Sequence, residues 1–381
     1  MAKQTIIIVG AGLSGLTLGR CLLKRGIPAV LYERADSPAR YSYGITLHAS
    51  TYAPLLKVLD VDEKDFKSRV AVDASIGGTG KISNATATSE SCFRANRGKL
   101  EEWLREGFDL KWNLGLHLGP QSVERPSRTS KQWTTICLDN GQKVQSDIVI
   151  GADGPHSALR KAVLPERELT VLPYVVYNGK RRIDHAVFEE KIRPHLTDSN
   201  IVNFKYGDAR VNISINEYQP AKVSMSWTYS RPSRGASDPL HKPERALSGA
   251  TTVPEELYHE IDSLQGVLPE PFVSTLDTEM LRKDRILHWL MRTTLVPKED
   301  LQSLAQDGIV LMGDAAHAQP IVGGNGANEA ISDAVSLAEH IAYGQKDLTH
   351  WLDGRYSVWE GGVDAAQNNI AALHSSISER L

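Results

Sequence analysis

A single carboxylate, a proline and four glycines are set close together in the run Gly313-Asp314-Ala315-Ala316-His317, Pro320 and Gly323-Gly324-Asn325-Gly326-Ala327-Asn328. Asp314 follows the short apolar stretch Ile309–Met312, so it stands at the tip of a buried strand. Gly313, Gly323, Gly324 and Gly326 let the backbone come close to a bound group. An Ala-rich helix starts near Gly326 and directs its N-terminal dipole to the same place. These residue types suit the binding of a polar cofactor rather than the filling of a core.

A second site of this kind opens the chain. Thr5–Val9 reads as a buried parallel strand, Gly10-Ala11-Gly12-Leu13-Ser14-Gly15 as a phosphate-binding turn, and the following Leu-rich segment as a helix ending at Gly26. Ala29–Tyr32 is the next strand, and Glu33 stands 18 residues beyond Gly15, placed for ribose hydroxyls, with Arg34 beside it. Gly10 makes the turn, Gly12 admits a diphosphate and Gly15 lets helix and strand pack. The two loops together require one long cofactor or two short ones. A flavin that accepts a hydride becomes anionic at N1 and O2, and a helix N-terminus stabilises that charge by about 1 kcal/mol. Nicotinamide has no such need, so FAD is favoured over NAD.

These loops need a sheet to carry them. Asp147–Ile150 runs into Gly151-Ala152-Asp153-Gly154 and supplies a further strand with an acidic tip. The expected fold class is α/β: a Rossmann-like FAD-binding domain interrupted by a mostly antiparallel sheet, with helices at the C-terminal end. Residues 1–168 form the first part of the cofactor domain, with an excursion of strands and turns over about 67–93. Residues 169–285 form the inserted domain, where Val202/Phe204/Tyr206, Val211/Ile213/Ile215 and Val223/Met225/Trp227/Tyr229 alternate with polar neighbours. Residues 286–345 return to the cofactor domain, and 346–381 read as helices broken near Gly361-Gly362. Residues 231–250 read as a loop or excursion, and the basic stretch 234–245 within it as a solvated loop.

Composition narrows the partners. With 43 basic and 46 acidic residues in 381, the net charge of −3 gives no electrostatic case for nucleic acid or an anionic membrane. Cys21, Cys92 and Cys137 have no metal-ligand spacing and read as free thiols in a reducing, cytoplasmic setting. No metal site is expected, nor is any apolar run long enough to span a membrane.

Taken in order, GAGLSG with Glu33, then Arg97-x-x-Leu100, then Gly151-Ala152-Asp153-Gly154 with Ser157 and Arg160, then GDAAH…P…GGNGAN, resemble the group A flavoprotein monooxygenases. These are single-component FAD aromatic hydroxylases, similar to 4-hydroxybenzoate, salicylate and 6-hydroxynicotinate hydroxylases. The stretches HWLMR at 288–292 and SRPSRGASDPLHKPER at 230–245 look like those of small fungal members. The resemblance implies that Gly10, Gly12 and Gly15 hold the diphosphate, Glu33 and Arg34 the adenosine side, and Arg97 the diphosphate or ribityl region. Asp153 belongs to a motif tied to FAD and NAD(P)H, and Asp314 would bind ribityl and phosphate. Pro320, Gly324, Gly326, Ala327 and Asn328 would line the isoalloxazine. NADPH or NADH is implied as a transient co-substrate and O2 as the oxidant, through a flavin C4a-hydroperoxide.

His48, after Gly44-x-Thr-x, would lie near flavin and substrate as a base for a phenol; the alternative is a structural or solvent-exposed histidine. His317 reads as a structural residue that holds its loop. Arg181 and Arg182 read as charged surface or as a gate. Tyr206, Met225, Trp227, Tyr229 and Trp289 are candidates for the substrate pocket, the alternative for an alternating aromatic face being plain core. Tyr41 and Tyr43 are placed to pack beside the flavin. The implied reaction is hydroxylation of an aromatic or electron-rich small molecule in secondary metabolism or aromatic catabolism. Epoxidation, Baeyer–Villiger oxidation and an inactive flavin-binding protein remain open, as do monomer and homodimer.

Overall fold

In the computed structural model, described over residues 5–38, 42–82, 91–108, 110–117, 122–126, 133–196, 198–344 and 347–375, the first strand is Ile6–Val9. It is buried at every position, as a β-branched run between two other strands must be. It pairs in parallel with Ala29–Tyr32 and with Val149–Gly151. Ile309–Leu311 extends the sheet beyond 149–151 and Leu110–Lys111 beyond 29–32, also in parallel. Parallel pairing brings Gly10, Glu33, Asp153 and Asp314 to the same, C-terminal edge. Ligands bind at that edge in open α/β sheets. The helices Leu13–Lys24 and Gly326–Ala342 pack against each other, so their glycine-rich starts are neighbours.

A second sheet has the strand order 201–206, 209–218, 222–232, 174–184, 285–288 and is antiparallel throughout. The three alternating segments expected from the sequence are its first three strands. A further central strand, Tyr174–Asp184, was not apparent from alternation, because Val175, Val176 and Tyr177 are all buried and so hide the period of two. One face of this sheet is apolar: Val175, Tyr177, Val211, Ile213, Ile215, Val223, Met225, Trp227 and Tyr229 form a core with Leu257, Ile261 and Phe272. At Gly179 a Cβ would lie 2.1 Å from Cε2 of Trp227, so only glycine leaves room for that indole.

Three stretches differ from expectation. Residues 63–70 are a helix, and among the described residues the excursion enters a strand only at Cys92–Asn96, which pairs with Gly44–His48; residues 83–90 lie outside the described residues. The helix Leu348–Leu373 runs through Gly361-Gly362 without a break. Trp359, Val363, Ala366 and Ile370 bury one stripe of it, and a Cβ at Gly362 would come 3.0 Å from Gln319 Nε2. Gly362 thus serves close packing rather than a bend, while a Cβ at Gly361 would meet nothing within 4 Å. Finally, the 234–245 stretch is not simply solvated. Arg231 and Asp238 are buried and ion-paired at 2.6 Å, and Leu240 is enclosed in the second core.

The cysteines are free, with Cys21 buried. Among the described residues no His/Cys/Asp/Glu group is placed to hold a metal, and no helix is long and apolar enough to cross a membrane.

Candidate active site

The cofactor edge is built from backbone geometry. Gly10 has φ +103°, and a Cβ there would lie 2.5 Å from Cα of Asp153, so the turn is closed against the neighbouring strand. At Gly12 a Cβ would meet nothing within 4 Å, and no side chain caps the helix that begins there. Its first N–H groups are left for an anion. Glu33 accepts from Ala11 N at 2.7 Å through one oxygen and from Ala35 N at 2.9 Å through the other, which fixes the carboxylate beside the turn. Arg34 is exposed at the outer rim.

Asp153 caps the helix Ala158–Val163, accepting from Ala158 N at 2.6 Å and Leu159 N at 3.2 Å. Its other oxygen is buried without a partner, and burial pushes its carboxyl up. Arg160, fully buried, donates to the carbonyls of Ala315 at 2.8 Å and Arg167 at 3.3 Å. It thereby ties the 151–160 motif to the Asp314 turn. The Asp314 carboxylate has no hydrogen-bond partner among the described residues, and a Cβ at Gly326 would sit 3.2 Å from its Oδ1. Burial raises its pKa, while His317, Arg97 and Arg160 pull the other way. The helix that starts at Gly326 also lacks a side-chain cap, with Gly324, Gly326 and Ala327 half-buried at its entrance. Arg97 is held by Glu101 at 2.8 Å and by the Tyr43 hydroxyl; Tyr41 lies outside the described residues.

His317 points inward. Its Nε2 is 2.6 Å from Oδ2 of Asp333, and its ring stacks on Trp359 at 4.5 Å. Asp333 also takes Gly313 N, Trp359 Nε1 and the Arg355 guanidinium. The C-terminal helix is thus bolted to the Gly313 turn. Pro320 is buried next to this anchor, and Gln319 accepts from Asn325 N at 2.7 Å. Arg181 is neither gate nor surface charge: it pairs with Asp284 through two bonds of 2.8 Å on the far side of the second sheet.

His48, Thr46 and Gly44 alternate with Ile45 and Leu47, and Leu47 is in the core. They therefore face out of the first domain toward the second sheet. Asn328 fixes this wall, accepting from His48 N at 3.0 Å and donating to Thr46 O at 3.0 Å. Opposite stands the polar face of the sheet: Gly44 N donates to Asn216 Oδ1 at 3.0 Å, and Asn216 Nδ2 donates to Ser226 Oγ at 2.8 Å. Lys180 reaches the Ser42 carbonyl across the same cleft.

This placement corrects the expected pocket. Met225, Trp227 and Tyr229 are buried in the second core on the face turned away from His48, and Tyr206 is 53% exposed at a strand end. The cleft face carries Ser226, Thr228 and Asn178 instead, the alternate positions of the same strands. Trp289 stays on the cleft side, packed with Val176, Met291, Val322 and Ile370. Arg94 and Asn216 were missed, although the alternation in Cys92-Phe93-Arg94-Ala95-Asn96 already separates Arg94 from the buried Phe93 and Ala95.

The residues fit FAD. The open position at Gly12, two uncapped helix starts and the unpartnered Asp314 carboxylate suit a diphosphate, a flavin and a ribityl hydroxyl chain, respectively. A sequence model of the FAD binding domain family matches residues 3–80 and 272–347, the segments that carry the Gly10–Gly15 turn, Glu33 and the Asp314 tip. The chain is 34% identical over 396 residues to the FAD-dependent monooxygenase adaC of Aspergillus niger, covering 98% of this chain and 94% of that protein. It is 32% identical over 356 residues to the FAD-dependent monooxygenase nscC of Trichophyton tonsurans, covering 89% and 85%. The 2,6-dihydroxypyridine-3-hydroxylase of Arthrobacter nicotinovorans has the same fold, with a TM-score of 0.74 at 17% identity over 99% of this chain and 94% of that one. Sequence likeness over nearly the full length and a matching cofactor edge agree: the chain belongs to the FAD-dependent monooxygenases.

Proposed function

We propose that the enzyme hydroxylates an aromatic or otherwise electron-rich small molecule, with NADPH or NADH as reductant and O2 as oxidant. FAD, when bound, supplies acceptance of the hydride and activation of O2. The chain's own residues do the rest. Gly10, Gly12, Gly15 and Glu33 bind the adenosine diphosphate side, and Asp314 and Arg97 the ribityl side. Pro320, Gly324, Gly326, Ala327 and Asn328 border the ring. His48 takes a phenolic proton at its imidazole, which makes the ring carbon more electron-rich. Trp289, Val322, Met291 and Ile370 form an apolar corner that keeps water out.

The observation that supports this reading most directly is that one residue, Asn328, joins the uncapped helix start at the cofactor edge to the strand carrying His48. The test is to record the visible spectrum of the purified protein. Oxidation of NADH and NADPH is then followed together with O2 uptake over a panel of phenols, aromatic acids and indoles. Flavin absorbance with substrate-stimulated reductant use and little peroxide is expected. A colourless protein that takes up no FAD would overturn the assignment.

A further inference from the structure

His317 is enclosed, with 1% of its surface exposed, yet only one of its ring nitrogens is engaged. Nε2 lies 2.6 Å from Oδ2 of Asp333, while Nδ1 is buried with no hydrogen-bond partner among the described residues. The Asp333 carboxyl is held at about 2 and is therefore ionised at neutral pH, so Nε2 carries the proton and donates it. Nδ1 is left with a lone pair that no described residue uses. A structural bolt needs only Nε2 and the stacking of the ring on Trp359 at 4.5 Å. At Nδ1 a proton can be added without breaking either contact.

The charges around this ring do not balance. Asp333 and Glu329, both on the helix Gly326–Ala342, share the guanidinium of Arg355 from the C-terminal helix. Asp314 stands one turn before His317 and feels Arg160, while the nearby Arg97 is met by Glu101. Three carboxylates (Asp333, Glu329 and Asp314) against two guanidiniums (Arg355 and Arg160) leave one negative charge when the imidazole is neutral. The cluster also borders the cofactor edge. Gly313 N donates to Asp333 Oδ2 at 3.0 Å, and Asp314 Oδ1 lies 3.2 Å from where a Cβ of Gly326 would stand. With one helical turn from Asp314 to His317, the imidazole is on the order of 10 Å from the uncapped start of that helix. Charges that far apart in a protein interior still act on each other, because counter-ions do not screen them. The helix dipole favours an anion at this start, and the carboxylates behind it oppose one.

We propose that His317 takes up a proton at Nδ1 when the flavin is reduced, so that its imidazolium offsets the negative charge the ring acquires. The inference rests on the FAD reading of the cofactor edge. Hydride transfer from NAD(P)H carries two electrons and one proton to the ring and leaves it anionic. The further proton comes from solvent, and the one bond it forms is N–H at Nδ1. His317 acts through charge rather than contact: it is a positioning residue that sets how readily the ring accepts electrons.

The test is a spectroelectrochemical titration of the holoenzyme between about pH 5 and 9. Each proton taken up with two electrons contributes about 30 mV per pH unit to the slope of the flavin potential. The wild type is expected to show a pH window with twice the slope of its alkaline side, the reduced ring keeping the absorbance of its anion throughout. Protonation of ring N1 would steepen the slope as well, but it would change the near-ultraviolet band of the reduced flavin. A single one-proton slope, or a window that coincides with that spectral change, would overturn the proposal. His317→Gln keeps an amide donor for Asp333 and is expected to hold flavin and lose the window; persistence of the window there counts equally against His317. Arg355→Gln removes a cation from the cluster and should move the window to higher pH. Should His317→Gln not retain flavin, Arg355→Gln decides, and a window unmoved or moved down refutes the assignment. Trp359→Phe takes only a neutral donor from Asp333 and should keep the window, whose loss there would mark the signal as structural. No substrate or O2 enters this measurement, so the window persists if the monooxygenase reading fails. A protein that binds no flavin fails that earlier reading before any titration begins.

Discussion

Oδ1 of Asn328 lies 3.0 Å from the backbone nitrogen of His48, 280 residues away in sequence, and this bond joins the flavin-side helix to the wall that carries the candidate base. The same amide donates to the Thr46 carbonyl, so one buried side chain satisfies two backbone groups of one strand. Asn328→Ala is expected to leave both groups unpaired and to cost about 1–3 kcal/mol of stability. With the His48 strand released, a larger share of reductant should be lost to peroxide. Thermal unfolding and the peroxide-to-NAD(P)H ratio check both parts, and an unchanged ratio would separate Asn328 from the placement of His48.

Asp314 is the proposed ribityl-side ligand. Its carboxylate faces the helix start without a hydrogen-bond partner among the described residues, so Asp314→Ala breaks no internal hydrogen bond there. FAD affinity is expected to fall tenfold or more, corresponding to about 1.4 kcal/mol or greater, with the melting temperature of the apoprotein nearly unchanged. The ratio of flavin to protein absorbance after gel filtration reads this directly. Full flavin content in the variant would remove Asp314 from the binding set.

Acid sensitivity should centre on Asp333. Burial alone would raise its pKa, but His317, Arg355 and Trp359 hold the carboxyl at about 2, below its ordinary 3.8. A folded-state pKa below the unfolded one means that the unfolded chain binds the proton more readily. The stabilisation is therefore fully present above about pH 4 and is lost as pH falls toward 2. Asp333→Asn is expected to lower stability at pH 7 by about 3–5 kcal/mol, as for a broken buried pair. It should also flatten the loss between about pH 4 and 2, which denaturant melts at those pH values would show.

The two faces of the second sheet should separate stability from substrate binding. Trp227→Phe sits in the far core, where its Nε1 also donates to Asp284 at 2.7 Å, and is expected to cost about 1–3 kcal/mol with KM unchanged. Thr228→Val, on the cleft face, should raise KM several-fold with little change in melting temperature. Reversal of this pattern in steady-state kinetics would return Trp227 to the pocket.

Much of the cofactor edge was legible because its signals are local. The glycine turn with Glu33, and the Gly313-Asp314 tip with its following helix, are each written within a few dozen consecutive residues. Backbone conformation and close approach demand glycine there whatever the rest of the chain does. The continuous C-terminal helix was less legible, since Gly361-Gly362 reads as a breaker until Gln319 is seen packed against it.

The sequence by itself determined a parallel sheet with acidic and glycine-rich tips, a segment of alternating strands within the chain, and hence a flavin protein. An alternating strand states that two faces differ; it does not say what each face meets. Only the tertiary structure turned Trp227 and its neighbours onto the far core and presented Ser226 and Thr228 to the cleft. It likewise set Arg94 opposite Ser214, 120 residues away, with no carboxylate beside it. The physical reason is that partners across a cleft are chosen by packing between distant segments, and no local pattern of residues encodes which surface will lie opposite.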